Sequence, residues 1–186
     1  MKMQYLNYHG LRLFFQGLDD FVEFCQKAGV TFHMDNQLYS DLFYGTDSHI
    51  YIPLWASVAK TDEDVLMNHI TLDVIKFYKA YGYEHVNMDG NPADLIGEQF
   101  RFLEYLSACA INGTMDGDVA STAIEEFEKS FLIDTIKLVL KGIKEYDTNH
   151  CLGFIVDLLE AVNSRNYYQW QIEQLTLSLK QTSTTR

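Results

Sequence analysis

Apolar residues recur along this chain at steps of three and four, and no run of five or six residues alternates apolar with polar at every second position. Steps of three and four put side chains on one stripe of an α-helix, which turns every ~3.6 residues, whereas a half-buried strand needs a period of two. Leu11, Phe14, Phe15, Leu18, Phe21, Val22 and Cys25 set the pattern and predict one amphipathic helix over residues 10–28, stopped at Gly29. A shorter helix carrying Leu38, Leu42 and Phe43 begins near Asp35 and stops at Gly45. Thr61-Asp62-Glu63-Asp64 has the form of a capping box and opens a helix that runs to Gly82. Asn91-Pro92 is read as the next start and Gly113 as its end, because Asn caps free amides and Pro at the first helical position gives up no hydrogen bond. Asp118 is read as the cap of a helix with Val119, Ile124 and Phe127, followed by a helical run from Phe131 to Ile143. Asp147-Thr148 opens one more, and a last helix runs from Asn166 to Lys180. The expected class is all-α, with about seven to nine helices.

Composition narrows the range of functions. With 47% apolar residues, only 2 prolines and 11 glycines in 186, the chain has the makings of one compact helical domain over residues 1–180, with a polar tail at 181–186. The three cysteines, Cys25, Cys109 and Cys151, are far apart and odd in number, which points to a reducing compartment. Asp and Glu outnumber Lys and Arg by 26 to 14, a net charge of −12, so nucleic acid and anionic membranes repel the chain and a basic peptide is attracted. The first nine residues do not form a secretory signal, and the strongest apolar stretches are broken by Asp134 and Lys137 well short of the ~18 residues a span needs. A soluble cytoplasmic protein is expected.

Chemistry-bearing patterns are few. The six histidines form neither HxxxH nor HxxH, and His150-Cys151, as neighbours on a helix, would point about 100° apart. Residues 85–96 begin with His and end with Ile where a calcium loop needs carboxylates. Phosphate-binding glycine patterns and GxSxG are missing, and the paired carboxylates at Glu125-Glu126 and Asp62-Glu63-Asp64 lie on solvated helix faces. The expectation is a non-enzyme with no cofactor and no metal.

Two segments stand outside the helical pattern. Tyr51 to Val58 is apolar and aromatic without helical period, and Asn91-Pro92-Ala93-Asp94-Leu95 precedes a strongly apolar helix. The order Leu42-Phe43-Tyr44-Gly45, then Pro53-Leu54-Trp55-Ala56-Ser57-Val58, then a helix, then Asn91-Pro92-Ala93-Asp94-Leu95 with Phe102-Leu103 downstream, resembles the TorD/DmsD/NarJ family of redox-enzyme maturation chaperones. The likeness is closest over residues 35–110 and looser over 118–165. It implies an all-helical cytoplasmic protein that binds the twin-arginine leader and the immature body of a molybdopterin-dependent catalytic subunit, delaying export until the cofactor is inserted.

The family's hallmark at this helix start is E-P-x-D-H. Here Pro92 and Asp94 match, Asn91 stands in place of the Glu and Leu95 in place of the His. The resemblance carries over a peptide-binding set of Leu42, Phe43, Pro53, Trp55, Ser57, Pro92 and Asp94, with Tyr39 as an aromatic neighbour. It implies that Asp94 offers its carboxylate to a leader arginine beside an apolar groove, and it allows a homodimer built by exchange of elements. A different class of function is an assembly scaffold that binds the folded subunit and ignores leaders, as the missing histidine allows. A small-molecule or nucleotide-binding helical protein comes third, the nucleotide case for want of a phosphate cradle.

Overall fold

The computed structural model describes residues 1–45, 49–61, 68–85, 90–147 and 150–167. The described residues form α1 (Lys2–Gln16), α2 (Leu18–Lys27), α3 (Asn36–Phe43), α4 (Ala56–Lys60), α5 (His69–Ala80), α6 (Ile96–Asn112), α7 (Gly117–Phe127), a π-helical turn (Glu128–Leu132), α8 (Ile133–Tyr146) and α9 (Gly153–Ser164). The fold is all-α, as the periodicity predicts, and the only sheet-like pairing among the described residues is one antiparallel bridge between Trp55 and Leu95. The capping box at Thr61–Asp64 and the helix from Asn166 to Lys180 fall largely or wholly outside the described residues, as does the tail at 181–186.

Several boundaries differ from the sequence expectation. The single helix expected over 10–28 is two, broken where Gly17 takes an extended backbone (φ 176, ψ 131), and the first begins at Lys2. Its apolar stripe continues across the break because Leu11, Phe14 and Phe15 of α1 and Leu18, Phe21 and Cys25 of α2 all reach the core. Asp116, and not Asp118, caps α7, accepting from the amides of Asp118 and Val119. The two helices expected on either side of residue 129 are one continuous rod, because the π turn takes up an extra residue and keeps Phe127, Leu132 and Ile136 all buried. Asp147 does bind free amides, those of Cys151 and Leu152, but α9 starts only at Gly153. The start near Asp35 and the stop at Gly113 stand: Asp35 accepts from Gln37 and Leu38, and Gly113 closes α6 in the left-handed region (φ 74).

Aromatic rings make the core. Phe14 meets Phe15, Phe21, Phe32, Tyr39 and Phe43 edge to face, and Phe100 on α6 stacks on Phe15 and Tyr8. On the other side of α6, Phe102 packs with Phe77, Tyr78, Tyr83 and Phe127. Helix α6 thus lies between two ring clusters, one built on α1–α3 and the other on α5 and α7. Such pairs add ~0.5–1.5 kcal/mol each beyond the area they bury.

Buried charge ties α1 to the rest. Glu104 on α6 takes Nδ1 of His9 at 2.8 Å and Nε of Arg12 at 2.5 Å. Burial pushes its carboxyl up, but the His9 hydrogen bond and the His9 and Arg12 charges outweigh that and leave it below the ordinary value. Glu128, on the π turn, accepts from Tyr8 (2.7 Å) and Tyr167 (3.1 Å) and lies 3.3 Å from Nε of Arg165. Here burial dominates and the carboxyl titrates above its ordinary value.

Two predictions follow from this packing. A Cβ at Gly142 of α8 would stand 2.7 Å from Cγ1 of buried Ile52. Gly142→Ala should therefore lose about 1 kcal/mol of stability in urea despite its better helix propensity, because overpacking costs ~1–3 kcal/mol and the propensity gain is ~1 kcal/mol. Glu128 binds its proton at higher pH in the native state than in the unfolded chain, so as pH falls from neutral through its raised value the native state gains stability, until the unfolded carboxyl also titrates near 4.5. Glu128→Gln should remove that gain, read as a flatter pH dependence of the melting temperature on the acid side of neutral.

Candidate functional site

The aromatic loop is an extended segment that leaves α3 and is pinned from both ends. The amide of Ile52 donates to the carbonyl of Leu42 at 2.7 Å, and the amide of Ile96 donates to the carbonyl of Leu54 at 2.8 Å. Ile52, Leu54 and Ala56 are buried while Tyr51, Pro53 and Trp55 are half-buried, so the segment has a strand's two-residue alternation with an apolar residue on both faces. The outer face therefore shows Tyr51, Pro53 and Trp55 side by side, with the Tyr51 and Trp55 ring centroids 6.1 Å apart.

Asp94 is the centre of the second segment. Its backbone carbonyl accepts from the amide of Ala56 (3.1 Å) and from Nε2 of Gln99 (2.8 Å). Its carboxylate accepts from the amide of Ser57 (2.9 Å) and from Oγ1 of Thr71 (3.0 Å), and the residue is fully buried. Helix α4 has no cap of its own at Trp55, so Asp94, 37 residues further on, satisfies one of its free amides. Next to it, Oη of Tyr78 donates to the carbonyl of Ala93 at 2.8 Å. The helix expected to start at Asn91-Pro92 starts instead at Ile96, because residues 92–95 form a turn closed by the Leu95 amide on the carbonyl of Pro92 (3.1 Å) and pairing with residues 54–56 holds Leu95 extended (φ −63, ψ 136).

This geometry sorts the expected binding residues. Leu42 and Phe43 are core side chains of α3, and Tyr39 is buried with its hydroxyl donating to the carbonyl of Phe14. Ser57 is buried with its hydroxyl unpartnered, and Asp94 has no exposed surface to give an incoming arginine. The sequence reading of Asp94 as an open carboxylate is corrected: both its oxygens are taken up by the fold. Only Pro53, Trp55 and Pro92 of the set present surface. Leu95, where the hallmark has His, is buried against the bridge to Trp55. Sequence reasoning missed Tyr51, which shares the outer face, because every residue from Tyr51 to Trp55 is apolar and no polar alternation marks that face. Three polar atoms around the loop, Oη of Tyr51, Nε1 of Trp55 and Oγ of Ser57, are buried and have no hydrogen-bond partner.

Residues 7–137 match the family model described as nitrate reductase delta subunit, about two thirds of the chain and all of the site just described. The chain belongs to this family. It lies within the TorD/NarJ/DmsD group of redox-enzyme maturation chaperones, whose members bind molybdoenzyme subunits, as the residue pattern suggested. No curated protein and no solved structure matches the chain. Among the described residues no three His, Cys, Asp or Glu side chains gather as a metal site, and no helix is long and apolar enough to cross a membrane.

The arrangement makes Asp94 a structural group. Asp94→Ala should lower the unfolding free energy in urea by about 2–4 kcal/mol, since it strands the amide of Ser57 and the hydroxyl of Thr71 in the interior, and Asp94→Asn should lose less because its carbonyl oxygen keeps one acceptor. Unchanged stability in both variants would contradict the role.

Proposed function

We propose that this chain is a cytoplasmic chaperone that holds the immature catalytic subunit of a molybdopterin-dependent oxidoreductase until its cofactor is inserted, and that the aromatic loop takes the apolar run of the subunit's twin-arginine leader. The observation that carries this reading is the outer face of residues 51–55, where Tyr51, Pro53 and Trp55, each half-buried, stand side by side as an apolar surface. The apolar side chains of a leader laid on that face pack against the exposed parts of these rings. Tyr and Trp make effective anchors because they give large contact area at small entropic cost.

On this reading the leader is recognised by its apolar run first and its arginines second. Asp94 is closed, so the arginines meet the chain's general negative field, which speeds association without fixing a register. The closed Asp94 and the buried Leu95 also favour a second reading, an assembly scaffold that binds the subunit's body and ignores its leader.

Calorimetric titration separates the two. A leader peptide should bind saturably, and its version with glutamines for the arginine pair should bind only modestly more weakly. Trp55→Ala should weaken leader binding by about 2 kcal/mol, roughly 30-fold, with little change in the urea midpoint. A well-folded parent that binds no leader but captures the whole subunit supports the scaffold. Unfolding of Trp55→Ala would mark Trp55 as core.

A further inference from the structure

Beyond the last residue of the family match, α9 returns along α8 and leaves between them an open groove of about 620 Å³. Its floor is apolar, made by Leu140 and Ile143 of α8 and Val156 of α9. Its two rims carry opposite charge: Lys141 and Lys144 stand on the α8 side, Asp157 and Glu160 on the α9 side. Asp147 also lines the groove, but its carboxylate is engaged by the amides of Cys151 and Leu152.

With 26 acidic and 14 basic residues many charges of this chain stand unpaired, and those of the two rims are among them. Nearby Lys129 and Arg165 pair with Glu125, and Lys137 pairs with Asp134, yet the side chains of Lys141, Lys144, Asp157 and Glu160 form no ion pair with any described residue. Each rim places two like charges three residues apart on one helix face, a spacing that mildly destabilises an isolated helix. Two stripes of opposite sign flanking an apolar floor are what a third amphipathic helix requires of a helix pair.

We infer that the α8–α9 groove is a second client site, which takes an amphipathic helical segment of the catalytic subunit. Its apolar side chains lie on Leu140, Ile143 and Val156, a basic flank runs along Asp157 and Glu160, and an acidic flank runs along Lys141 and Lys144. A second copy of this chain is the poorer occupant, because it would bring its own concave groove to face this one and leave both floors uncovered. The inference rests on the chaperone reading but not on the aromatic loop, from which the groove is separate in sequence and lining residues.

The test uses the full chain and the cofactor-free catalytic subunit of the molybdoenzyme encoded in the same genome. Two charge-reversed variants, Asp157→Lys with Glu160→Lys, and Lys141→Glu with Lys144→Glu, are compared with the parent and with Trp55→Ala by interferometry at low and high ionic strength. Because none of the four charges pairs with a described residue, both variants should keep the parent's melting temperature. Each should bind the subunit about tenfold more weakly at low ionic strength, a gap that narrows as salt screens the rims. Its effect should add to that of Trp55→Ala, as for independent contacts. A photo-crosslinker at Val156 should capture the subunit.

Unchanged affinity in both reversed variants while Trp55→Ala binds weakly would overturn the groove and leave the loop standing. Crosslinking of Val156 to a second copy, with a dimer that charge reversal dissolves, would overturn it in favour of self-association. A parent that fails to bind the subunit at all would overturn the chaperone reading for that client, and the groove with it.

Discussion

The buried carboxylate of Asp94 joins three parts of the chain that lie far apart in sequence: the start of α4 through Ser57, the start of α5 through Thr71, and the extended entry to α6. Without it the short helix α4, only five residues long, has an unsatisfied end in the interior, and nothing local would hold a helix of that length. The backbone pairing of residues 54–56 with 94–96 depends on the same anchor, and so does the presentation of Tyr51, Pro53 and Trp55 on the outside. A residue that looks by position like a ligand for arginine thus acts first on the fold. Its burial is also what moves the reading of leader recognition from charge to aromatic contact.

Helix α6 continues the same construction. It begins at the Asp94 anchor, runs between two aromatic clusters and carries Glu98 and Glu104, which draw partners from outside the helix, Gln16 and His85 for Glu98 and His9 and Arg12 for Glu104. Glu98 is almost fully buried and lies within reach of Arg101 (3.1 Å), His85 (3.4 Å) and Gln16 (3.2 Å). Burying these carboxylates costs solvation, and the cation or donor that each meets inside offsets that cost. The negative charge that remains outside gives the chain its field.

Much of the architecture was legible beforehand, for a physical reason. Helical periodicity survives in the sequence because it reflects burial of one stripe, and side chains such as Phe14, Phe102 and Ile136 are buried where the period puts them. The caps at Asp35 and Gly113 were also readable, because they are satisfied by residues within a few positions. The extended loop was not readable as such: all of Tyr51 to Trp55 is apolar, so its two-residue alternation of burial left no polar residues to mark the outer face. The break at Gly17 was equally hidden, since spacing counts residues and the stripe resumes in step on α2.

The sequence by itself determined the helical class, the apolar stripes, the local caps and the family pattern at residues 42–58 and 91–103, because each depends on residues within a turn or two of one another. Only the tertiary structure decided what those pattern residues do. Whether a carboxylate is a ligand or a cap depends on which donors surround it, and the donors to Asp94 come from residues 23 and 37 positions away. The start of α6 at Ile96, four residues past Pro92, and the opposed rims of α8 and α9 are decided in the same way, by contacts between segments that no local spacing records.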